Sequence, residues 1–341
     1  MDKQMRISWG VLGSAGINNA AIPGMLKANN ARLLAVSSRR PNVAEADRRR
    51  WGAERAYDSY DALLGDRDVD AVYIPLPNHL HAEWVVKALQ AGKHVLCEKP
   101  LVLSLAEVDA ISEAAQRAGR VAMEGFMYRF APRWIRAIEL IRSGAIGEPR
   151  LVRITRGFKQ SYDSYNIRFD PAAGGGVLWD MGSYAVNMSR LLFGDEPRRA
   201  FATSWSRPAE RVDTTTSGML DFGGGRTSVF SVSFDFINPL AQVEVVGADG
   251  WISLQGTGMR GEPFTRIARH RFGDEIFLNG VEPTIESFPA ADVFAAEFLE
   301  LGRAVIDGDQ PRYGLADARA NAQALLALAQ AAATGAAVEV G

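Results

Sequence analysis

Strand-like and helical stretches alternate over about the first 125 residues of the chain. Apolar runs typical of buried strands occupy residues 6–12, 32–37, 69–74, 95–97 and 121–124. Helical patterns lie between them at residues 20–28, 43–51, 58–64, 82–91 and 105–118. Because this alternation is typical of doubly wound α/β folds, we predict a parallel sheet of the Rossmann type.

The first strand runs directly into a glycine-rich loop, Gly13-Ser14-Ala15-Gly16-Ile17, and then into a helix. In dinucleotide-binding folds, such a loop leaves backbone amides at a helix N-terminus to face a pyrophosphate. The match is imperfect, because Ala15 stands at the position of the second glycine and Asn18 at that of the third. We predict a dinucleotide-binding loop, with an ordinary strand–helix turn as the alternative. Pro23 is placed in the first turn of the helix.

The second strand ends in Ser38, Arg39 and Arg40. An acidic residue at this place hydrogen-bonds the ribose of NAD, whereas an arginine accommodates the 2′-phosphate of NADP. No Asp or Glu stands at this strand end. We therefore predict NADP as the cofactor and disfavour NAD. The alternative is a basic turn that contacts only water.

Two further turns follow predicted strands of the same sheet. Leu76-Pro77-Asn78 follows one strand and Glu98-Lys99-Pro100 follows the next. Ligands bind outside the carboxyl ends of the strands in an open α/β sheet, so both turns are candidate ligand contacts. The alternative for the charged turn is a surface position in water. His79 and His81 lack a nearby His or Cys at ligand spacing, so we predict packing or capping roles and no metal site.

Beyond Tyr128 the pattern changes, so we place a first domain at residues 1–125 and a second at residues 126–341. Helices are predicted at residues 133–143, 291–307 and 316–332. Strands are predicted at residues 150–156, 199–206, 214–221, 227–235, 242–246 and 251–254, several with a period of two. This pattern predicts an α+β domain with an open, mostly antiparallel sheet. Alternating apolar residues at 229–234 would expose an apolar face, which predicts a homodimer or homotetramer.

Three glycines, Gly174-Gly175-Gly176, lead into a helix that carries Asp180 and Tyr184. A spacing of four residues places a carboxylate and a phenol on one helical face. This arrangement is typical of a pair that handles a proton. The alternative is an amphipathic helix in which a buried tyrosine is hydrogen-bonded to the aspartate.

Composition argues against several classes of partner. The formal net charge is −2, so bulk electrostatics favour neither nucleic acid nor an anionic membrane. No apolar run is long enough to span a bilayer, and the N-terminus lacks the apolar region of an export signal. The single cysteine, Cys97, allows no intramolecular disulfide. We expect a cytoplasmic protein that acts on a small molecule.

Together these motifs resemble the glucose–fructose oxidoreductase / inositol dehydrogenase family, Gfo/Idh/MocA. The resemblance covers almost the whole chain. Its most specific marks are Glu98-Lys99-Pro100, Met127-Tyr128-Arg129-Phe130, and the glycines followed by Asp180-Met181-Gly182-Ser183-Tyr184. Tyr184 stands where inositol dehydrogenases carry histidine. The likeness is therefore greatest to the branch of dimeric dihydrodiol dehydrogenase and NADP-dependent D-xylose dehydrogenase.

The resemblance implies NAD(P)-linked oxidation of a sugar or polyol hydroxyl, or the reverse reduction. It implies Lys99, Asp180 and Tyr184 as catalytic residues, and these three with Arg168 as substrate contacts. The expected cofactor contacts are Gly13, Ser14, Ala15, Gly16, Ile17, Ser38, Arg39, Arg40, Leu76, Pro77, Asn78, His81, Glu98, Lys99, Arg129 and Trp179.

The chemistry of these side chains suggests a division of roles. A phenol is a poor base at neutral pH, and a nearby lysine cation favours its phenolate. We take Tyr184 as the immediate acid/base and Lys99 as its partner, with direct proton transfer by Lys99 as the alternative. The competing functions are a trans-dihydrodiol dehydrogenase, an aldose–aldose oxidoreductase with tightly bound NADP, and a non-catalytic sugar-sensing regulator.

Overall fold

The computed structural model describes residues 5–162, 165–236, 242–255, 264–271 and 283–341. The described chain falls into two units. The first contains the residues up to Met127 together with Asp292–Ala322, and the second contains Tyr128–Ala291 and Gln323–Gly341. A single cut at residue 125 therefore does not describe the first unit, which includes a late segment of the chain.

Six parallel strands form the sheet of the first unit. They are β1 (Ile7–Leu12), β2 (Ala31–Ser37), β3 (Arg55–Tyr57), β4 (Ala71–Ile74), β5 (His94–Glu98) and β6 (Ala122–Gly125). Their order is β3-β2-β1-β4-β5-β6, with all neighbours parallel. The predicted doubly wound sheet is confirmed. Its strand order reverses between β1 and β4, which is the place where such sheets bind ligands.

Five helices connect these strands: α1 (Asn18–Lys27), α2 (Val43–Trp51), α3 (Tyr60–Leu64), α4 (Asn78–Gln90) and α5 (Leu105–Ala118). Helices on both faces explain why β1, β4 and β6 are buried along their whole lengths. The Ser104 side chain and Glu107 form a capping box at the start of α5.

Two local predictions are corrected, and one strand was not predicted. Helix α1 begins at Asn18, so Pro23 lies inside the helix and not in its first turn. Helix α4 begins at Asn78 and not at residue 82, because Pro77 has the extended conformation of an N-cap and the helix starts directly after it. The short strand β3 was not predicted, since it has only three residues, all half-buried, at the edge of the sheet.

The late segment of the first unit contains helix α8 (Val293–Asp307). Phe298 of this helix is fully buried, and its ring lies 4.9 Å from that of Trp9 and 5.5 Å from that of Tyr73. Helix α8 packs closely on α1, because a Cβ at Gly24 would lie 2.5 Å from the Cβ of Phe294. The apolar face of α8 thus belongs to the core of the first unit.

The second unit is built on a nine-stranded sheet in the order β14-β13-β12-β11-β7-β10-β9-β8-β15. Its strands are β7 (Pro149–Gly157), β8 (Arg199–Trp205), β9 (Thr215–Gly223), β10 (Arg226–Ser233), β11 (Gln242–Gly247), β12 (Gly250–Gln255), β13 (Phe264–Arg271), β14 (Thr284–Pro289) and β15 (Val338–Glu339). Neighbours are antiparallel except β7 and β10. The mostly antiparallel sheet is confirmed, and β13 and β14 extend it beyond the predicted strands.

Helices α6 (Pro132–Arg142) and α7 (Ser183–Phe193) belong to the second unit, and α9 (Leu315–Thr334) begins in the first unit and ends in the second. Helix α7 packs against β7 and β10. The inward side chains of β7, Val152 and Ile154, are buried, whereas Arg153 and Thr155 between them are exposed. This alternation identifies the helix-covered face of the sheet.

The alternation at residues 229–234 has a different cause from the one predicted. Phe230, Val232 and Phe234 are buried and lie on the helix-covered face. Val229 and Ser231 lie on the opposite face and are half-buried. The apolar half of the pattern is therefore already covered by the chain's own helix, and Val229 is the apolar residue of β10 that faces away from it.

Candidate active site

The predicted cofactor segments of the first unit all follow the carboxyl ends of parallel strands. The loop of residues 13–17 follows β1, residues 38–40 follow β2, residues 76–78 follow β4, and Lys99 follows β5. Because these strands are parallel neighbours, their carboxyl ends lie along one edge of the sheet. The structure thus brings together the four segments that the sequence placed separately.

The glycine-rich loop has the geometry of a pyrophosphate site. Gly13 has a φ of +108°, and a Cβ there would lie 2.7 Å from the side chain of Leu76. The Asn18 side chain is buried and donates a hydrogen bond of 2.9 Å to the Gly13 carbonyl, so it fastens the loop where a glycine was expected. Within the described residues, the backbone amides of residues 14–17 donate to no backbone carbonyl. These amides precede α1, as a bound phosphate requires.

The basic turn after β2 lies beside this loop. Arg40 donates from Nη2 to the Ser14 carbonyl at 3.0 Å, and its backbone amide donates to the buried Ser38 Oγ at 3.2 Å. The guanidinium of Arg39 lies 5.3 Å from the ring centroid of Tyr60. The turn thus places one guanidinium on the glycine-rich loop and a second beside the Tyr60 ring.

His81 joins two of the turns. Its side chain is fully buried, and its two ring nitrogens each lie 2.7 Å from a backbone carbonyl oxygen, one of Leu76 and one of Pro100. The turn after β4 is thereby tied to the turn after β5. His81 therefore fixes these two turns relative to each other, which is the packing role that its sequence context favoured. Its direct contact with the cofactor stays a prediction.

The Glu98-Lys99-Pro100 turn is fixed by two buried side chains, Tyr73 and Glu124. The fully buried Tyr73 donates a hydrogen bond of 2.7 Å to Glu98 Oε1, and burial raises the pKa of this phenol well above its usual value, which keeps it a donor. Glu124 Oε1 accepts from the Leu101 amide at 2.8 Å. The Lys99–Pro100 peptide bond is cis. In the sequence, Tyr73 and Glu124 can be recognised as a tyrosine and a glutamate near the ends of otherwise apolar strands.

In the second unit, Asp180 is paired with Arg168. The Arg168 Nε lies 2.8 Å from Asp180 Oδ2, and the carboxylate sits in a π-helical turn, Leu178–Gly182, that runs into α7. The Gly176 amide donates to the Arg168 carbonyl at 2.9 Å, and a Cβ at Gly175 would lie 2.6 Å from that same oxygen. The glycines therefore allow their backbone to lie close to that of Arg168, and this places the Arg168 guanidinium beside the Asp180 carboxylate.

Tyr184 lies in the first turn of α7 and is 6% exposed. The guanidinium carbon of Arg156 lies 4.2 Å from the centroid of its ring, and the ring of Tyr128 lies 5.9 Å away. Tyr128 in turn donates a hydrogen bond of 2.6 Å to Asn187. Arg168 is one partner of the Asp180 carboxylate, and the alternative of a Tyr184–Asp180 hydrogen bond stays a prediction.

Asp213 fixes the start of the helix that carries Asp180, and the sequence did not reveal it. Its Oδ2 accepts from the Leu178 amide at 2.9 Å and from the Thr216 hydroxyl at 2.6 Å, while its carbonyl accepts from the Val177 amide at 2.9 Å. A Cβ at Gly176 would collide with Asp213 Oδ1. Burial raises the pKa of this carboxyl.

The comparisons with known proteins agree with this geometry. Residues 7–126 match the model of an oxidoreductase family with an NAD-binding Rossmann fold, and residues 134–253 match the Gfo/Idh/MocA C-terminal domain. This chain belongs to the Gfo/Idh/MocA family. It is an oxidoreductase with an NAD(P)-binding Rossmann domain, as its motifs implied.

Relatives agree with the branch that the motifs indicated. The chain is 36% identical to a D-xylose 1-dehydrogenase (NADP(+)) of Haloferax volcanii, over 97% of this chain and 99% of that one. It is 31% identical to a trans-1,2-dihydrobenzene-1,2-diol dehydrogenase of Mus musculus, over 74% and 75% of the two chains. The crystal structure of an aldose-aldose oxidoreductase from Caulobacter crescentus has a TM-score of 0.88 at 28% identity, covering 98% of this chain and 99% of that one.

Two predicted cofactor contacts of this oxidoreductase belong to the second unit. Arg129 is buried in a 3-10 turn, Met127–Phe130, and Trp179 is half-buried in the π-helical turn beside Asp180. Their contact with the cofactor stays a prediction. In the part of the chain that the structure describes, no three His, Cys, Asp or Glu side chains group as metal ligands, and no helix is both long and apolar enough to cross a bilayer.

Proposed function

We propose that this oxidoreductase transfers hydride between NADP and a sugar or polyol, at a hydroxyl or the corresponding carbonyl, as an aldose dehydrogenase does. The observation that carries the cofactor half of the proposal is the basic turn after β2. It brings Arg40 onto the glycine-rich loop, places Arg39 beside Tyr60, and contains no carboxylate that would repel a 2′-phosphate. A sugar substrate is supported by the similarity of this chain to the D-xylose 1-dehydrogenase of Haloferax volcanii.

The residues of this chain supply binding and proton transfer. The nicotinamide of bound NADP supplies the hydride acceptor or donor. The amides of residues 14–17 would hold the pyrophosphate, with Arg39 and Arg40 on the 2′-phosphate. In oxidation, the carbinol hydrogen leaves as hydride and the hydroxyl proton passes to Tyr184, so that a carbonyl remains. Reduction reverses both transfers.

Lys99 and Asp180 complete the proposed proton path. The Lys99 cation favours the phenolate of Tyr184 and shares the relay, while Asp180, held by Arg168, orients the substrate hydroxyl or the lysine. Arg168 is the further proposed substrate contact. Direct transfer of the proton to Lys99 is the alternative within the same reaction.

A substrate panel tests this proposal. Purified enzyme is assayed by nicotinamide absorbance with aldoses, polyols and a trans-dihydrodiol, each with NADP and with NAD, and with Lys99→Ala as the control. We expect NADP reduction with an aldose or polyol. If only the dihydrodiol is turned over, the protein is assigned as a trans-dihydrodiol dehydrogenase instead. A preference for NAD would contradict the NADP assignment, and no turnover of any substrate would favour a sugar-sensing regulator.

The aldose–aldose oxidoreductase is distinguished by the state of the cofactor. Such an enzyme keeps NADP bound while one sugar is oxidised and another is reduced. We expect wild-type protein to lose NADP on gel filtration and to need added cofactor. If the protein retains NADP and forms the oxidised and the reduced sugar in equal amounts without added cofactor, it is an aldose–aldose oxidoreductase.

The proposal includes assembly of the enzyme into a homodimer or homotetramer through the sheet of the second unit. The face of this sheet that points away from α7 carries Phe201, Met219 and Val229 in one cross-strand row, followed by the Arg153–Glu244 ion pair. A row of half-buried apolar side chains favours contact with a second copy. Light scattering at micromolar concentration is expected to give a dimer or tetramer, and a monomer contradicts this.

A cytoplasmic location is also part of the proposal. Cys97 is a free, fully buried thiol, which suits a reducing compartment. Fractionation of cells that express the tagged full-length protein is expected to recover it with the cytoplasmic fraction, and recovery with another fraction contradicts this.

A further inference from the structure

Arg156 occupies a position in the second unit where its strand otherwise places apolar side chains. Strand β7 turns Val152, Ile154 and Arg156 toward the helix-covered face of the sheet, and Arg156 is 9% exposed there. Its neighbour in register on β10, Val232, is fully buried. Burying a guanidinium in this row is costly unless the charge interacts with something.

The interaction that the structure provides is with the face of Tyr184. The guanidinium carbon lies 4.2 Å from the ring centroid, within the range of a cation–π contact. Among the residues that the structure describes, Arg156 forms no ion pair, and its Nε has no hydrogen-bond partner. No described carboxylate therefore neutralises the charge that rests on this ring.

We infer that Arg156 is a positioning residue that holds Tyr184 and favours its phenolate form. This inference rests on the proposed function, in which Tyr184 exchanges a proton with the substrate. A cation on the ring face stabilises the negative charge that spreads from the phenolate oxygen into the ring, and both side chains are buried here. Arg156 then prepares the base before the substrate arrives.

The described neighbours of Tyr184 in the second unit also include a phenol and a carboxylate. The neighbouring 3-10 turn contributes Tyr128, whose hydroxyl donates to Asn187. One turn earlier on the same helical run lies Asp180, which Arg168 pairs. Lys99 of the first unit is the proposed relay partner. Arg156 is a cation that the second unit itself places on the ring.

The test compares pH profiles of kcat/KM for alcohol oxidation in wild type, Arg156→Met, Arg156→Lys and Arg150→Met. Arg150 is a matched control, because it lies exposed on the same strand and pairs with Glu148. Activity should rise with pH as the base loses its proton. We expect the midpoint to move up by about one pH unit in Arg156→Met, to return most of the way in Arg156→Lys, and to stay unchanged in Arg150→Met.

A purely structural role for Arg156 would lower the rate or the melting temperature without moving the midpoint, and that result overturns the inference. If wild type oxidises no tested substrate, the proposed function fails, but the inference is still tested by tyrosinate absorbance. The tyrosine whose signal is lost in Tyr184→Phe should ionise at higher pH when Arg156 is replaced by Met, or by Gln if the Met variant does not fold. If that tyrosine ionises with or after the other tyrosines in wild type, the inference is overturned without any Arg156 variant.

Discussion

The carboxyl edge of the first sheet and the helix-covered face of the second sheet place their candidate functional residues in opposite ways. In the first unit, the functional groups lie in short turns directly after strands, as at Gly13 and Lys99. In the second unit, Tyr184 and Arg156 project from a helix and a strand into a packed interior. One region keeps its chemistry on turns, and the other embeds it among packed side chains.

Because of this difference, mutations in the turns should change cofactor binding, whereas mutations in the packed interior should also change the stability of the fold. An exposed turn residue such as Arg39 can be exchanged with little effect on packing, because its side chain lies outside the packed interior. An inward residue is part of the packing, so its replacement changes the position of its neighbours as well as the chemistry. Mutation should therefore change the cofactor preference of this protein more easily than it changes the proposed proton-transfer residues without loss of stability.

The largest effect is expected for the proposed proton-transfer pair, Lys99 and Tyr184. Lys99→Ala and Tyr184→Phe should each lower the oxidation rate by about two to four powers of ten, as expected for general acid–base catalysis. The double variant should be little worse than the poorer single variant, because residues that act as a unit are not additive. Steady-state kinetics of the three variants measure this.

NADP binding provides the control for that comparison, because the glycine-rich loop and Arg39 are unchanged in all three variants. Each should bind NADP like wild type in a fluorescence titration. Fully multiplicative rate losses would give the two residues independent roles, and near-normal turnover in Lys99→Ala would remove the lysine from the chemistry.

A smaller effect is expected from the turn after β2. Arg39→Ala should lower the preference for NADP over NAD by about tenfold to a hundredfold, the usual worth of a charged hydrogen bond to a phosphate. The melting temperature should stay unchanged. The matched control is Arg49→Ala, which removes an exposed guanidinium from α2. An unchanged preference in Arg39→Ala would contradict both the NADP assignment and the separation of binding from stability.

The smallest effect on catalysis, combined with a loss of stability, is expected at Asp213. Asp213→Ala leaves the Leu178 amide and the Thr216 hydroxyl without their acceptor, which costs about 1–3 kcal/mol. We expect kcat to fall by about tenfold and the melting temperature by several degrees, with NADP affinity unchanged. Asp213→Asn, which keeps an acceptor oxygen, should retain most of both. A fall in kcat without any loss of stability would contradict the comparison.

The sequence predicted the first region in more detail than the second, for a physical reason. The residues of the glycine-rich loop, the Ser38–Arg40 turn and the Glu98–Pro100 turn are contiguous, and a parallel sheet necessarily brings the ends of its strands to one edge. Asp180 and Tyr184 could also be proposed from the sequence, because helical spacing is local. Which of the predicted contacts touch the cofactor stays a prediction.

Contacts between distant segments could not be predicted in this way. Asp213 reaches the start of the π-helical turn across 35 residues, and Tyr73 meets Glu98 from the neighbouring strand. Arg156 did leave a local signal, an arginine at the inward position after Val152 and Ile154. The outward apolar face was misjudged at residues 229–234, because period-two alternation does not tell which face a helix covers.

The contribution of α8 to the first unit has a consequence for how the protein is made. Domains usually fold in order as they leave the ribosome. Here the core around Trp9 and Tyr73 is completed by Phe298, and Lys27 of α1 binds Asp292 at 2.8 Å just before α8. The cofactor-binding unit therefore waits for a segment that is synthesised after the whole sheet of the second unit except β15. A chain released early would carry every residue of the glycine-rich loop and yet lack the core that supports it.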